Sequence, residues 1–181
     1  MRRAWRALRS CVASPADVWL LARLAAWAPA LPLLKRVVPF RRLVRFMAAK
    51  PAKHARDPEL ERRIVRMARL VYRGRTGTFR DNCLERSLVV YRYLGRAGAR
   101  PELRAGFRRE GEKVRGHVWV LLDGRPVHEA PEELAGYGEV TAFGPDGARV
   151  SAERAPSSPP GADGRPEAGH EPERPPGVGH R

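Results

Sequence analysis

The stretch whose reading decides the fold is Asp81–Gly98, DNCLERSLVVYRYLGRAG. Asn82 reads as a helix cap and Glu85, three residues on, as the side chain that reaches back to it. Leu84, Leu88 and Tyr91 recur at helical spacing and predict the buried face. Gly98 is a stop signal. Cys83, one of two cysteines in the chain, therefore falls on the first helical position. Unpaired backbone N–H groups and the positive end of the helix dipole point there. Such a position favours the thiolate, which is the nucleophilic form. Cysteine is also a common apolar filler, so this stretch alone leaves both roles open.

Upstream, the loop RGRTGTFRD delivers the chain to this helix. Before it, Asp57 caps and Pro58 opens another helix, with Leu60, Ile64, Met67 and Val71 on one face. Arg62, Arg63, Arg66, Arg69 and Arg73 are expected on the other. Ser14-Pro15-Ala16-Asp17 is an earlier start signal, with Leu20, Leu24 and Trp27 sharing a face. Val18–Leu34 is apolar, yet Arg23 interrupts it and Pro29 and Pro32 are expected to break it. It also falls short of the roughly 20 residues that a membrane span needs. The opening MRRAWRALRS imitates a signal sequence, but Lys35-Arg36 stand where a cleavage site should be. A soluble helix in a cytoplasmic protein is the expectation.

Downstream, Leu103–Phe107 alternates like a strand and Gly116–Leu122 is strongly strand-like. Asp123-Gly124 is a hairpin turn, with Arg125–Glu129 as the return strand. Glu139–Phe143 and Ala148–Val150, around Pro145-Asp146-Gly147, predict one further small hairpin. The class is α+β: a helix packed on a small antiparallel sheet, preceded by basic helices. Three regions are expected: a basic helical part over 1–56, a core over 57–150, and a Pro/Gly-rich disordered tail over 151–181.

The net charge of +15 is confined to one half. Residues 1–80 hold 20 Lys and Arg against 4 Asp and Glu, whereas residues 81–150 hold 11 of each. A chain-wide nucleic-acid binder is excluded by that division, and the arginines lack interleaved aromatics or a reading motif. Cys11 and Cys83 form neither a disulfide framework nor a ligand pattern, so a reduced compartment, no metal and no cofactor are expected.

A cysteine nucleophile needs a base. Of five histidines, His54 lies in a basic linker and His170 and His180 in the tail, where nothing would orient them. His117 sits in an apolar strand with Trp119 and Leu121 on its own face, which suits a structural histidine until a helix-start cysteine is set beside it. The third member depends on the turn. A three-residue loop Leu122-Asp123-Gly124, with Gly124 left-handed, sets His117 opposite Glu129. A two-residue Asp123-Gly124 turn sets His117 opposite Ala130 and sends Glu129 to the other side of the sheet. The three-residue form is expected. His128, Asp123 and Glu132 are lesser candidates.

Taken together, N-C-L-E-R-S-L with its helix, R-A-G-A-R-P-E-L-R-A-G-F, and G-H-V-W-V-L-L-D-G-R-P-V resemble the transglutaminase-like cysteine peptidases of lasso-peptide biosynthesis. The resemblance covers about residues 58–130. It implies a transglutaminase-like (papain-like) core and removal of the leader from a ribosomally made precursor peptide. It matches Cys83 to the nucleophile and His117 to the base. The third position, usually aspartate in the family, falls on Glu129, one methylene longer. It further implies a separate leader-recognition protein and an asparagine-synthetase-like macrocyclising enzyme as partners. The basic helices are then free to dock that partner, an acidic leader or the face of a membrane. Two rival readings remain at this level: a non-enzymatic basic binding protein on a degenerate fold, and a transferase using the same acyl-enzyme.

Overall fold

A computed structural model describes residues 14–50, 54–72 and 83–150. Asn82, Cys11, the loop 73–82 and the segment 151–181 expected as a tail lie outside the described residues. Helix α1 spans Pro15–Val37, α2 Phe40–Met47, α3 Pro58–Tyr72 and α4 Cys83–Arg96. Strand β1 runs Glu102–Glu110, β2 Lys113–Leu122 and β3 Arg125–Pro126. A short helix α5, Pro131–Leu134, precedes β4, Gly138–Phe143, and β5, Arg149–Val150. The five strands form one antiparallel sheet in the order β3-β2-β1-β4-β5. The α+β architecture and both hairpins agree with the sequence patterns.

Helix α4 is the axis of the molecule. Leu88, Val89, Val90, Tyr91 and Leu94 are all fully or almost fully buried, so its burial extends well beyond one face. It meets α1, α2 and α3 on one side and the sheet on the other. Leu24, Leu31, Leu43, Met47, Ile64 and Met67 from the first three helices join Leu103, Val120 and Phe143 from the sheet in one core. Gly98 ends α4 at a φ of 85°, with the Ala99 N–H donating to the Leu94 carbonyl at 3.1 Å. That is the left-handed helix stop a glycine allows. A Cβ there would also lie 3.0 Å from the Arg56 Cα.

The starts of α1 and α3 follow their signals. The Ser14 hydroxyl accepts the Asp17 N–H and the Asp17 carboxylate accepts the Ser14 N–H at 2.9 Å. Asp57 Oδ1 accepts the N–H groups of Glu59 and Leu60 at 3.1 and 3.0 Å. Two expectations are corrected. Pro29 and Pro32 do not break α1, which continues to Val37 as 23 residues. A helical proline costs about 3 kcal/mol, but Leu24, Ala28 and Leu31 pack across both positions on the core side. That burial outweighs the cost and keeps one axis. The helix is accordingly long and apolar enough, by length and composition, to cross a membrane. Arg63 leaves the solvent face of α3 to pair with the buried Asp17. Glu85 is 3% exposed and pairs with Lys35 of α1 at 2.5 Å; the Asn82 cap expected to meet it lies outside the described residues.

The register of the β2–β3 hairpin is also corrected. Leu122 pairs with Arg125 and Leu121 with Pro126, so the turn has two residues, not three. Asp123 and Gly124 both take positive φ, 52° and 75°. That double left-handed turn matches the natural twist of the strands, and an Asp-Gly pair adopts it readily. Helix α5 carries no expectation from the sequence patterns. Its start follows from Pro131 in the first turn and from Glu133, whose carboxylate accepts the Ala130 N–H at 3.1 Å.

Candidate active site

Cys83 is the first described residue of α4 and is half-buried, with a free thiol. His117 stands on β2, paired across the sheet with Gly106 of β1. The fold brings the two near enough for the Cys83 thiol to be the largest influence that raises the pKa of the His117 ring. The ring's Nε2 lies 3.4 Å from Glu129 Oε1. The three residues singled out in the sequence are therefore one connected group.

Glu129 reaches this place by a route other than the one the sequence suggested. In the two-residue register the ladder would set Ala130, not Glu129, beside His117. The ladder stops first. The last bond runs from the Val127 N–H to the Val120 carbonyl at 3.1 Å, one residue beyond the Leu121–Pro126 pair. Residues 127–129 then form a bend, and the Glu129 carboxylate comes within ion-pair distance of the ring.

Arg86 holds the carboxylate there. Its guanidinium donates to the same Oε1 that faces His117. Arg86 is missing from the sequence-based candidates, although its position three residues after Cys83 places both on one helix face. Arg69 steadies the same segment by donating to the His128 carbonyl at 2.8 Å. Burial pushes the Glu129 carboxyl up, but the His117 hydrogen bond and the Arg86 charge outweigh it and hold the group below its ordinary range.

His117 moves the other way. The hydrogen bond with Cys83, then that with Glu129, raise it from 6.5 to about 9 against the opposing effect of burial. The ring consequently carries its proton at neutral pH. Its lesser rivals do other things. His128 is lowered to about 4 by burial and by the nearby Arg86 charge. Asp123 pairs with Arg56 at 2.8 Å in the hairpin turn, Glu132 is exposed on α5, and His54 is exposed and bonded to the Ala55 carbonyl. His170 and His180 lie outside the described residues.

Aromatic packing sets the ring plane. Trp119 stacks on His117 at 6.1 Å between centroids and 14° between planes, and Tyr137 lies 5.3 Å away. Tyr137 arrives from the turn after α5 and gave no signal in the sequence. Gly106 makes room for the arrangement. A Cβ there would sit 2.5 Å from the Gly138 carbonyl oxygen and 3.1 Å from Trp119 Cη2.

The edge of β2 beside His117 is open among the described residues. The Val118 carbonyl accepts the buried Ser87 hydroxyl of α4 at 2.8 Å, and the Val120 carbonyl accepts from Val127. Even-numbered residues of β2 thus turn their amide groups away from β1, and Gly116 follows by the alternation of an antiparallel strand. Among the described residues no strand pairs with it.

A thiol bonded to a carboxylate-held imidazole can pass its proton to the ring, attack an acyl carbon and return the proton to a leaving amine. Among the described residues no cluster of three His, Cys, Asp or Glu side chains is placed to hold a metal ion. A family model of the transglutaminase-like superfamily matches residues 21–142, and the chain belongs to that superfamily. Membership brings the class of cysteine-dependent acyl chemistry, peptidase or acyltransferase. No curated protein and no solved structure matches the chain.

Proposed function

We propose that this chain is a cysteine endopeptidase that removes the leader from a ribosomally made lasso-peptide precursor. The observation that carries the reading is the contact sequence Cys83–His117–Glu129, with the ring proton held to about 9. The motifs around Cys83 and His117, and their likeness to leader peptidases, select the substrate class. The open edge at Gly116 suits a peptide, since an extended chain can lay its backbone along it and bring a carbonyl to the thiol.

In this reading Cys83 Sγ, as thiolate, attacks the carbonyl carbon at the leader–core junction, and a backbone N–H at the start of α4 receives the oxyanion. As the C–N bond breaks, the protonated His117 gives its proton to the leaving amine. His117 then takes a proton from water, which attacks the thioester and frees the thiol. With Nε2 committed to Glu129, Nδ1 is the nitrogen left for these transfers. Glu129 orients the ring and Arg86 positions Glu129. A separate leader-recognition protein presents the precursor, and an asparagine-synthetase-like enzyme takes the freed core.

The test is mass spectrometry of a leader-bearing precursor incubated with the full chain and the recognition protein. Two fragments whose masses add to the precursor plus one water are expected, with none from Cys83→Ala. An intact precursor overturns the reading. Capture of an added amine in place of water moves the chain to the transferase class.

A further inference from the structure

Helix α1 is largely apolar, with Arg23, Lys35 and Arg36 its exposed charges, and only one of its faces is used by the fold. Leu24, Ala28 and Leu31 are buried in the core. The opposite face carries Val18, Trp19, Ala22, Ala25, Ala26, Pro29, Leu33 and Val37, all of them exposed, with Arg36 the one charge among them. At 100° per residue these positions fall in one arc of about 120°, and Val18 to Val37 run about 28 Å along the axis. The large side chains stand well out: Trp19 is 66% exposed, Leu33 63% and Val37 78%. A contiguous apolar stripe of this length is not ordinary surface.

Its electrostatic setting says what covers it. Residues 14–50 hold seven Lys and Arg, and Asp17 is their one acidic side chain. Asp17 is buried and paired with Arg63, so the exposed surface of α1 and α2 carries no negative charge. Arg36, Arg41, Arg42 and Arg45 are exposed and lie in the chain where the C-terminal end of α1 passes into α2. Apolar side chains, a tryptophan and a cationic end together fit the boundary of an anionic bilayer, where acyl chains meet acidic headgroups. A protein partner would instead need a complementary apolar groove rimmed with acid.

We infer that α1 lies flat on an anionic membrane surface and attaches the enzyme to it peripherally. The helix lies on the bilayer and does not span it, because crossing would strip Leu24, Ala28 and Leu31 from the core they share with Met47, Ile64 and Leu88. The outer stripe enters the headgroup region, and the arginines of α2 meet lipid phosphates. This inference stands independently of which peptide the site cleaves.

The experiment is co-sedimentation of the full chain with phosphatidylcholine vesicles and with vesicles containing phosphatidylglycerol. Binding to the anionic vesicles is expected, at least ten-fold stronger than to the neutral ones and weakened by salt. The double variant Leu33→Asp, Val37→Asp should lose it at least ten-fold. Both side chains are exposed, so far-UV circular dichroism and Cys83 alkylation should match wild type. Arg41→Gln, Arg42→Gln and Arg45→Gln together should narrow the gap between the two lipids. Absence of binding to both vesicles overturns the inference. So does anionic binding undiminished by the Leu33 and Val37 substitutions, which would make the contact one of charge alone. A dimer in light scattering that the same substitutions dissolve also overturns it, with a second copy as the occupant.

Discussion

If Cys83 and Glu129 together hold the proton on His117, removing either should release it. The ring stands at about 9 against an ordinary 6.5. At about 1.36 kcal/mol per unit, this difference of 2.5 units is about 3.4 kcal/mol in favour of the imidazolium. Burial works against it, so the two partners supply more than that net figure. Cys83→Ala removes the larger contribution and Glu129→Gln the second. Each should lower the ring's titration by about a unit or more, and the double variant should bring it to 6.5 or below, since burial alone then acts. The assay is a pH titration of the histidine ring C–H resonances, with His117→Gln identifying the signal. A wild-type ring titrating at 6.5, or one that Cys83→Ala leaves in place, refutes the reasoning. The sign for stability follows. A folded value above the unfolded one contributes stability that is complete below pH 6.5 and is lost as pH rises through about 9. Urea melts of wild type and Glu129→Gln at pH 6 and 9.5 should therefore converge at the higher pH as regards this ring.

Two further outcomes concern stability. His128, lowered to about 4, has the opposite sign: the unfolded chain takes a proton near 6.5 that the folded chain refuses until about 4. Between pH 7 and pH 5 this ring should cost about 2 kcal/mol, and His128→Leu should flatten the fall in urea midpoint over that interval; an unchanged fall would show that the ring titrates normally. Lys35→Met leaves the Glu85 carboxylate buried without its cation, which should destabilise by about 3 kcal/mol. Adding Glu85→Leu should recover most of that loss in thermal melts, whereas additive losses would show that the two side chains act separately.

The elements came readily from local pattern. Capping residues at Ser14 and Asp57, helical spacing in α3 and α4, the alternation around Trp119 and the glycine after α4 each report on interactions within a few residues. Chain-local physics was therefore enough to find them, and enough to select Cys83 and His117. It was not enough for α1, where two prolines argue for a break. Whether a proline ends a helix depends on the packing across it, and Leu24 and Leu31 find their partners on α2, α3 and α4.

Glu129 shows the same division most clearly. Counting outward from a hairpin turn assumes that the ladder continues, and the assumed register was off by one residue. The carboxylate still meets the ring because the ladder ends with the Val127–Val120 bond and the chain bends over residues 127–129, a path no residue count contains. Arg86, Tyr137 and the pairing of Glu85 with Lys35 were out of reach for a related reason. Each contact joins segments that are neighbours only after the helices close on the sheet. The sequence by itself determined most of the elements, the confinement of charge to the first half and the two side chains proposed to react, because these depend on residue type and short-range spacing. The tertiary structure alone decided which carboxylate holds the imidazole, which arginine holds the carboxylate, and which face of α1 is left outside, because those follow from long-range packing.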